Sequence, residues 1–149
     1  MSKAVEIFEV GPRDGLQNEP AFISSEDKIA LTQALVGAGL RRIECASFVS
    51  PKWVPQMADA AQVVEGVTPG AAQLYALAPN NRGLRAALAT PVGGLCVFIA
   101  ATEGFSRANT NISLAGAVER VPDAIATFRA EVPEVVRLRA YISRVNGCP

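Results

Sequence analysis

Histidine is absent from the 149-residue sequence. The chain therefore supplies no imidazole general base, no Ser-His or Cys-His nucleophile pair and no imidazole metal ligand. Lys and Arg together number 14, as do Asp and Glu, so no net charge attracts nucleic acid or a membrane surface. No apolar run reaches transmembrane length. Residues 1–4 carry no apolar signal region, so we expect a cytoplasmic protein.

Cysteine is also scarce. Cys45, Cys96 and Cys148 are widely spaced and form no C-x-x-C pattern, which argues against a zinc site and favours buried or site-adjacent free thiols over disulfides. No G-x-G-x-x-G or Walker pattern follows the first apolar run, which weakens a nucleotide-binding interpretation. Half the residues are hydrophobic and only 19% are charged, so the composition favours a well-buried interior over disorder.

What the sequence does contain is a repeated alternation of apolar runs and helical segments. We predict strands over residues 5–10, 40–48, 73–78, 94–101 and 135–143. Predicted helices cover a segment capped by Ser24 with Asp27 and ended by Gly39, residues 56–65, residues 82–89, and a segment from the cap Ser113 to about residue 131 that Pro122 is expected to kink or split. Residues 102–111 are expected to be a polar loop.

Such units predict an α/β fold with a parallel sheet buried on both faces. About five strands fit either an open doubly wound sheet or the N-terminal portion of a TIM barrel. Polar residues at several strand ends favour a barrel rim. We therefore expect residues 1–149 to form one partial (β/α)8 barrel, strands one to five, with the C-terminal strands absent and two open sheet edges.

The first predicted strand ends in Gly11, Pro12, Arg13, Asp14 and Gly15. The carboxyl ends of parallel strands are where α/β enzymes place their chemistry. An aspartate suits Mg²⁺ or Mn²⁺, and an arginine can stabilise a developing enolate or carboxylate oxygen. Both side chains can face the rim if the backbone turns at Gly15. The alternative is an ordinary turn pair without a role in chemistry.

Glu44 stands between apolar neighbours in the second predicted strand. Burying a carboxylate is costly unless it is paired, and Arg13 on the adjacent strand is the natural partner. Glu44 either orients Arg13 or forms a purely structural ion pair with it. The loop that follows, residues 47–57, contains two prolines and Trp53, and it is either a rigid ligand-covering loop or a hydrophobic lid over the barrel.

Four segments carry a resemblance to a known family. They are residues 11–19 (GPRDGLQNE), 43–44 (IE), 47–57 (SFVSPKWVPQM) and 146–149 (NGCP), and in this order they resemble hydroxymethylglutaryl-CoA lyase. That family belongs to a superfamily of metal-dependent TIM-barrel lyases and aldolases that open with an Arg-Asp motif. The first and third segments are specific to the lyase branch, since the condensing synthases usually follow Arg-Asp with Gly-Glu-Gln and this chain has Leu16 at the position of that glutamate.

The resemblance implies cleavage of 3-hydroxy-3-methylglutaryl-CoA to acetyl-CoA and acetoacetate with a divalent cation, Mg²⁺ or Mn²⁺. It implies catalytic Arg13 and Glu44 and a metal ligand at Asp14. By the same resemblance, Arg13 and four further residues would contact the acyl-CoA substrate; the four are Gln17, Ser47, Asn109 and Tyr141. A homo-oligomer, a dimer as the full-length barrel, is also expected, with neither nucleic acid nor membrane as partner.

The family's metal-binding histidines and asparagine and its Gly-Gly-Cys-Pro loop, which holds the catalytic cysteine, lie on later strands. Cys148 matches an earlier Gly-Cys-Pro, so no catalytic cysteine is assigned. Because one aspartate holds a metal weakly, we expect little or no turnover by this chain alone. Two alternatives stay open, namely a non-catalytic half-barrel that associates with itself or another chain, and a lyase for a longer 3-hydroxy-3-alkylglutaryl-CoA.

Overall fold

The computed structural model describes residues 5–147, apart from the side chain of Ala124. Its sheet has five strands, β1 (Phe8–Glu9), β2 (Arg42–Ser47), β3 (Gln73–Leu77), β4 (Gly94–Ala100) and β5 (Arg137–Ser143). All neighbouring strands are parallel, and their spatial order follows the chain. A doubly wound sheet reverses its strand order at a switch point, so the consecutive order selects the barrel alternative.

Within residues 5–147, five α-helices connect or follow the strands. They are α1 (Ser25–Gly37), α2 (Ala60–Gly66), α3 (Asn81–Leu88), α4 (Glu103–Thr110) and α5 (Leu114–Glu131). Both predicted serine caps are confirmed, because the Ser24 hydroxyl accepts from the Asp27 amide at 3.1 Å and the Ser113 hydroxyl accepts from the Gly116 amide at 3.1 Å. Each side chain satisfies an amide that lacks an intrahelical partner.

Different side chains pack against the two faces of the sheet. Helices cover the convex face, where Ile43, Leu74 and Leu95 pack with Val63 and Val64 of α2. A smaller aromatic cluster occupies the concave face and consists of Tyr75, Leu77, Cys96, Phe8, Phe98 and Tyr141. This layering gives the strands their near-continuous apolar character, since both faces are occupied.

The strand β5 is the exposed edge that the sequence predicts. Leu138 and Ile142 are 48% and 63% exposed, although apolar side chains at these positions of a closed barrel would be covered. Within residues 5–147 no helix combines the length and the apolar composition that a membrane span requires.

Three predictions about elements need correction. The expected loop over residues 102–111 contains α4, which the Glu103–Arg107 pair supports across one turn at 2.5 Å and which ends at Asn111 with φ +56°. Pro122 lies inside one continuous α5, so the helix is not split there, while the expected kink stays a prediction. The carbonyl that loses its helical donor there belongs to Val118, whose side chain is 54% exposed, so water can reach this turn. The first strand is only two residues long, Phe8–Glu9, and pairs with β2 at these two positions.

Candidate functional site

The segment after β1 forms a wide turn that presents Arg13 and Asp14. The amides of both residues donate to the Val10 carbonyl, at 3.1 and 2.7 Å, and residues Gly11–Gly15 form one π-helical turn. The turn therefore begins at Gly11. Gly15, expected to be the turning point, has an ordinary right-handed φ of −65°, so glycine is not required there.

Arg13 and Glu44 form the buried ion pair that the sequence predicts. Glu44 is fully buried, and its Oε1 accepts a short hydrogen bond from Arg13 Nε. The Nη1 of Arg13 donates to Asp14 Oδ1 at 2.6 Å. Among the described residues Nη2 has no acceptor. The guanidinium is thus fixed at two of its three nitrogens, and the third is available to an oxygen of a ligand.

A bulge in β2 places Ser47 beside Glu44 on the concave face. Residues three apart in a regular strand point to opposite faces, but the β2–β3 register shifts between Glu44 and Ala46. As a result Glu44 aligns with Tyr75 and Ser47 with Leu77, which share one face. The Ser47 hydroxyl is buried and has no hydrogen-bond partner within residues 5–147, so it has an unused donor and acceptor.

Tyr141 reaches the same carboxylate from the far edge of the sheet. Its hydroxyl donates to Glu44 Oε2 at 2.8 Å. Burial and this bond to a carboxylate raise the pKa of the Tyr141 phenol. Cys96 lies two residues before Phe98 in β4 and on the same concave face. Burial, and then the charge of Glu44, raise the pKa of its thiol. Both groups stay protonated and can donate.

Asp14 is the outermost member of the cluster. Its side chain is 55% exposed, and its Oδ1 also accepts from Gln17 Nε2 at 3.4 Å. Only this oxygen is engaged by side chains of the described region, so the other could bind a cation. No group of three His, Cys, Asp or Glu side chains suited to a metal occurs among residues 5–147. Asp14 fits one ligand position of a divalent cation and no more.

Asn109 and the loop after β2 lie outside the cluster formed by Arg13, Glu44 and Tyr141. Asn109 lies on the exposed side of α4, and its amide donates to the Phe105 carbonyl at 3.1 Å; its predicted substrate contact stays a prediction. In the loop, Trp53 is 87% exposed and covers nothing in the described region. Gln56 instead anchors the loop, because its side chain bonds the Ile23 amide and the Ala21 carbonyl.

One concave-face residue escapes a sequence pattern search. The Cζ of Arg139 lies 3.6 Å from the ring centroid of Phe8 and 4.8 Å from that of Tyr141, so the guanidinium packs between β1 and β5 by cation–π contacts. The sequence could have indicated this position, because Arg139 stands two residues before Tyr141 and residues two apart in a strand share a face. Cys148 lies outside the described residues.

Five parallel strands in consecutive order define a portion of a TIM-barrel protein. At its rim an arginine is held between two carboxylates. The family model described as HMGL-like matches residues 4–145. The chain belongs to this HMGL-like family, in agreement with the resemblance found in its motifs.

Individual relatives have the same fold and similar sequences. A 3-hydroxy-3-isohexenylglutaryl-CoA/hydroxy-methylglutaryl-CoA lyase of Pseudomonas aeruginosa is 49% identical over 100% of this chain and 49% of its own length. The crystal structure of hydroxymethylglutaryl-CoA lyase from P. aeruginosa superposes with a TM-score of 0.87 at 49% identity, over 97% of this chain and 48% of the other.

An HMG-CoA lyase of Acinetobacter baumannii, solved in complex with coenzyme A and 3-methylmalate, gives a TM-score of 0.86 at 29% identity, over 97% of this chain and 46% of that one. The chain thus spans about half the length of the curated relatives it matches. It corresponds to a half-barrel of this family.

Proposed function

We propose that this chain is the N-terminal half of a carbon–carbon lyase that cleaves 3-hydroxy-3-methylglutaryl-CoA to acetyl-CoA and acetoacetate. The observation that carries the proposal is the guanidinium of Arg13, which Glu44 and Asp14 hold while its Nη2 has no acceptor among residues 5–147. Cleavage removes the proton of a tertiary hydroxyl and leaves an enolate of acetyl-CoA. A fixed cation next to the forming enolate oxygen lowers the barrier, because its charge needs no reorganisation during the reaction.

Each residue then has a defined task. Arg13 donates to the enolate oxygen, and Glu44 keeps its guanidinium plane in place. Asp14 contributes one carboxylate to a divalent cation, Mg²⁺ or Mn²⁺, which when bound would polarise the substrate's oxygens. The remaining ligands would come from outside the described residues. Ser47 offers a buried hydroxyl beside Glu44, while Gln17 and Asn109 complete the proposed contacts to substrate.

The proposal extends to setting and assembly. The products suit leucine degradation or ketone body formation in the cytoplasm, and the complete barrel would act as a dimer. Acyl-CoA is the proposed substrate class, in line with the coenzyme A complex of the A. baumannii relative.

The test is an acetyl-CoA release assay on the protein that carries this chain, with the variants Arg13→Gln and Arg13→Lys. Losing one such electrophilic donor lowers kcat by about 100-fold to 1000-fold. Lysine keeps the charge but has one nitrogen in place of the two that bond Glu44 and Asp14, so it should restore little. Arg85→Gln is the matched control, since Arg85 pairs with Glu131 at the surface. Unchanged kcat in Arg13→Gln would remove the proposed role.

A cation-binding experiment tests Asp14 separately. We expect Asp14→Asn to weaken Mn²⁺ binding in the catalytic protein, measured by electron paramagnetic resonance of free Mn²⁺, because the amide lacks the charge of a hard oxygen ligand. Asp123→Asn, a change of the same chemistry on exposed α5, should leave binding unaltered. Equal Mn²⁺ affinity in Asp14→Asn would exclude Asp14 as a ligand.

A second substrate is favoured by a specific comparison. The P. aeruginosa relative's name includes 3-hydroxy-3-isohexenylglutaryl-CoA, so a longer 3-hydroxy-3-alkylglutaryl-CoA is the alternative substrate. Comparing kcat/KM for the short and the branched substrate decides between them.

The exposed edge strand β5 is also compatible with the alternative of a non-catalytic half-barrel that associates with another chain. Its apolar Leu138 and Ile142 favour association with a covering chain. Size-exclusion chromatography with light scattering on the 149-residue chain would show a dimer for that alternative, and a stable monomer without activity after partner addition would contradict it.

A further inference from the structure

The hydroxyl of Tyr141 contacts the protein's own carboxylate. It donates to Glu44 Oε2, while Arg13 Nε donates to Glu44 Oε1. We propose that Tyr141 is a positioning residue that fixes the plane of the Glu44 carboxylate and, through it, the guanidinium of Arg13, instead of contacting the acyl chain. The catalytic consequence rests on the proposed function, whereas the positioning itself does not.

The physical reason lies in the last torsion of glutamate. A carboxylate rotates easily about its terminal bond, because that torsion has a broad, roughly twofold potential. One hydrogen bond at one oxygen leaves this rotation free. Bonds at both oxygens, from Arg13 on one side and Tyr141 on the other, define the carboxylate plane and with it the direction of the Arg13 Nε–H bond.

Tyr141 is itself held firmly enough to do this. Its ring packs in the concave aromatic cluster with Phe98 and Cys96, and the Arg139 guanidinium lies 4.8 Å from its centroid. Among the described residues Glu44 is the acceptor of its hydroxyl. The raised pKa of the phenol keeps the proton in place for donation.

The two hydrogen bonds of Glu44 together connect the two edges of the sheet. Tyr141 belongs to β5, Glu44 to β2, and Arg13 follows β1, so the two hydrogen bonds connect residues that are 97 and 31 positions apart. Tyr141 therefore makes the geometry of Arg13 depend on correct docking of β5.

Hydrogen exchange at the Arg13 side chain tests this directly in the 149-residue chain. We expect the Nε–H of Arg13, observed by ¹⁵N–¹H NMR, to exchange about fivefold faster in Tyr141→Phe, because a net hydrogen bond is lost from its acceptor. Tyr75→Phe is the matched control. It removes the same atom from the same cluster, but the Tyr75 hydroxyl contacts Gln73 at 3.3 Å. Equal exchange in the two variants would overturn the proposal.

A fluorine label provides a measurement that leaves the phenol intact. The chain has two tyrosines, so 3-fluorotyrosine in the Tyr75→Phe variant reports on Tyr141 alone. Glu44→Gln should then shift the ¹⁹F resonance, and Glu65→Gln, at an exposed position of α2, should not. An unchanged ¹⁹F chemical shift in Glu44→Gln would contradict the contact.

Kinetics of the catalytic protein separate positioning from substrate contact. Positioning predicts that Tyr141→Phe lowers kcat by about 10-fold to 100-fold with KM unchanged, since a displaced catalytic group costs turnover more than binding. A raised KM at unchanged kcat would overturn it in favour of an acyl-chain contact. If no variant shows lyase activity while the exchange difference is present, the proposed function fails and the positioning role stands.

Discussion

Replacing Glu44 by glutamine probes the buried centre of the site. In the present structure both carboxylate oxygens accept, one from Arg13 Nε and one from the Tyr141 hydroxyl. Glutamine offers one oxygen and one NH₂ group. One of the two neighbouring donors must therefore face another donor, and the buried guanidinium of Arg13 loses a negative partner.

The size of the effect follows from these losses. Removing one partner of a buried ion pair costs about 3–5 kcal/mol. Asp14 still contacts the guanidinium at 2.6 Å, and the amide oxygen retains one hydrogen bond. We therefore expect Glu44→Gln to lower the free energy of unfolding by about 2–3 kcal/mol, which lowers Tm by about 5–10 °C for a chain of this size.

Urea denaturation followed by circular dichroism measures this difference, with Glu65→Gln on the exposed side of α2 as control. The control should stay within about 0.5 kcal/mol. The double variant with Tyr141→Phe lacks the hydroxyl that would face the glutamine NH₂ group. Its loss of unfolding free energy should therefore be smaller than the sum of the two single-variant losses by about 0.5–1 kcal/mol. A loss below about 0.5 kcal/mol in Glu44→Gln, or full additivity, would refute the reasoning.

The remaining predictions concern Cys45 on the convex face and two helical glycines. Burial raises the pKa of the Cys45 thiol to about 12, from an ordinary value of 9.0. Iodoacetamide at pH 8 should therefore modify Cys45 only after unfolding, as mass mapping would show. Because the unfolded thiol loses its proton first, this thiol's contribution to stability should fall as the pH rises from 9 to 12; rapid native labelling would contradict both. Gly83→Ala should destabilise by about 1–3 kcal/mol, since its Cβ would lie 2.4 Å from the Phe48 carbonyl oxygen. Gly104→Ala, with open space around it, should stabilise α4 by about 0.5–1 kcal/mol in the same thermal melts. Equal melting temperatures for the two alanine variants would be the contrary result.

Much of the fold is readable from local patterns. Ser24 and Ser113 cap helices where the residue types predict it, and each strand lies within or near its apolar run. The pairing of Arg13 with Glu44 also followed from local reasoning, because a carboxylate among apolar neighbours needs a cation nearby. The helix α4 was missed since its polar residues resemble a loop; its support comes partly from Glu103, which accepts from the Leu114 amide eleven positions away.

The amino-acid sequence alone determined the alternation of strands and helices, the family motifs and the identity of the charged pair, because these depend on residue type and short-range spacing. Only the tertiary structure decided which side chains share the concave face. The bulge that turns Ser47 toward Glu44 and the contact from Tyr141 depend on register between strands. Register is set by packing across the sheet, and the period of a single strand does not reveal it.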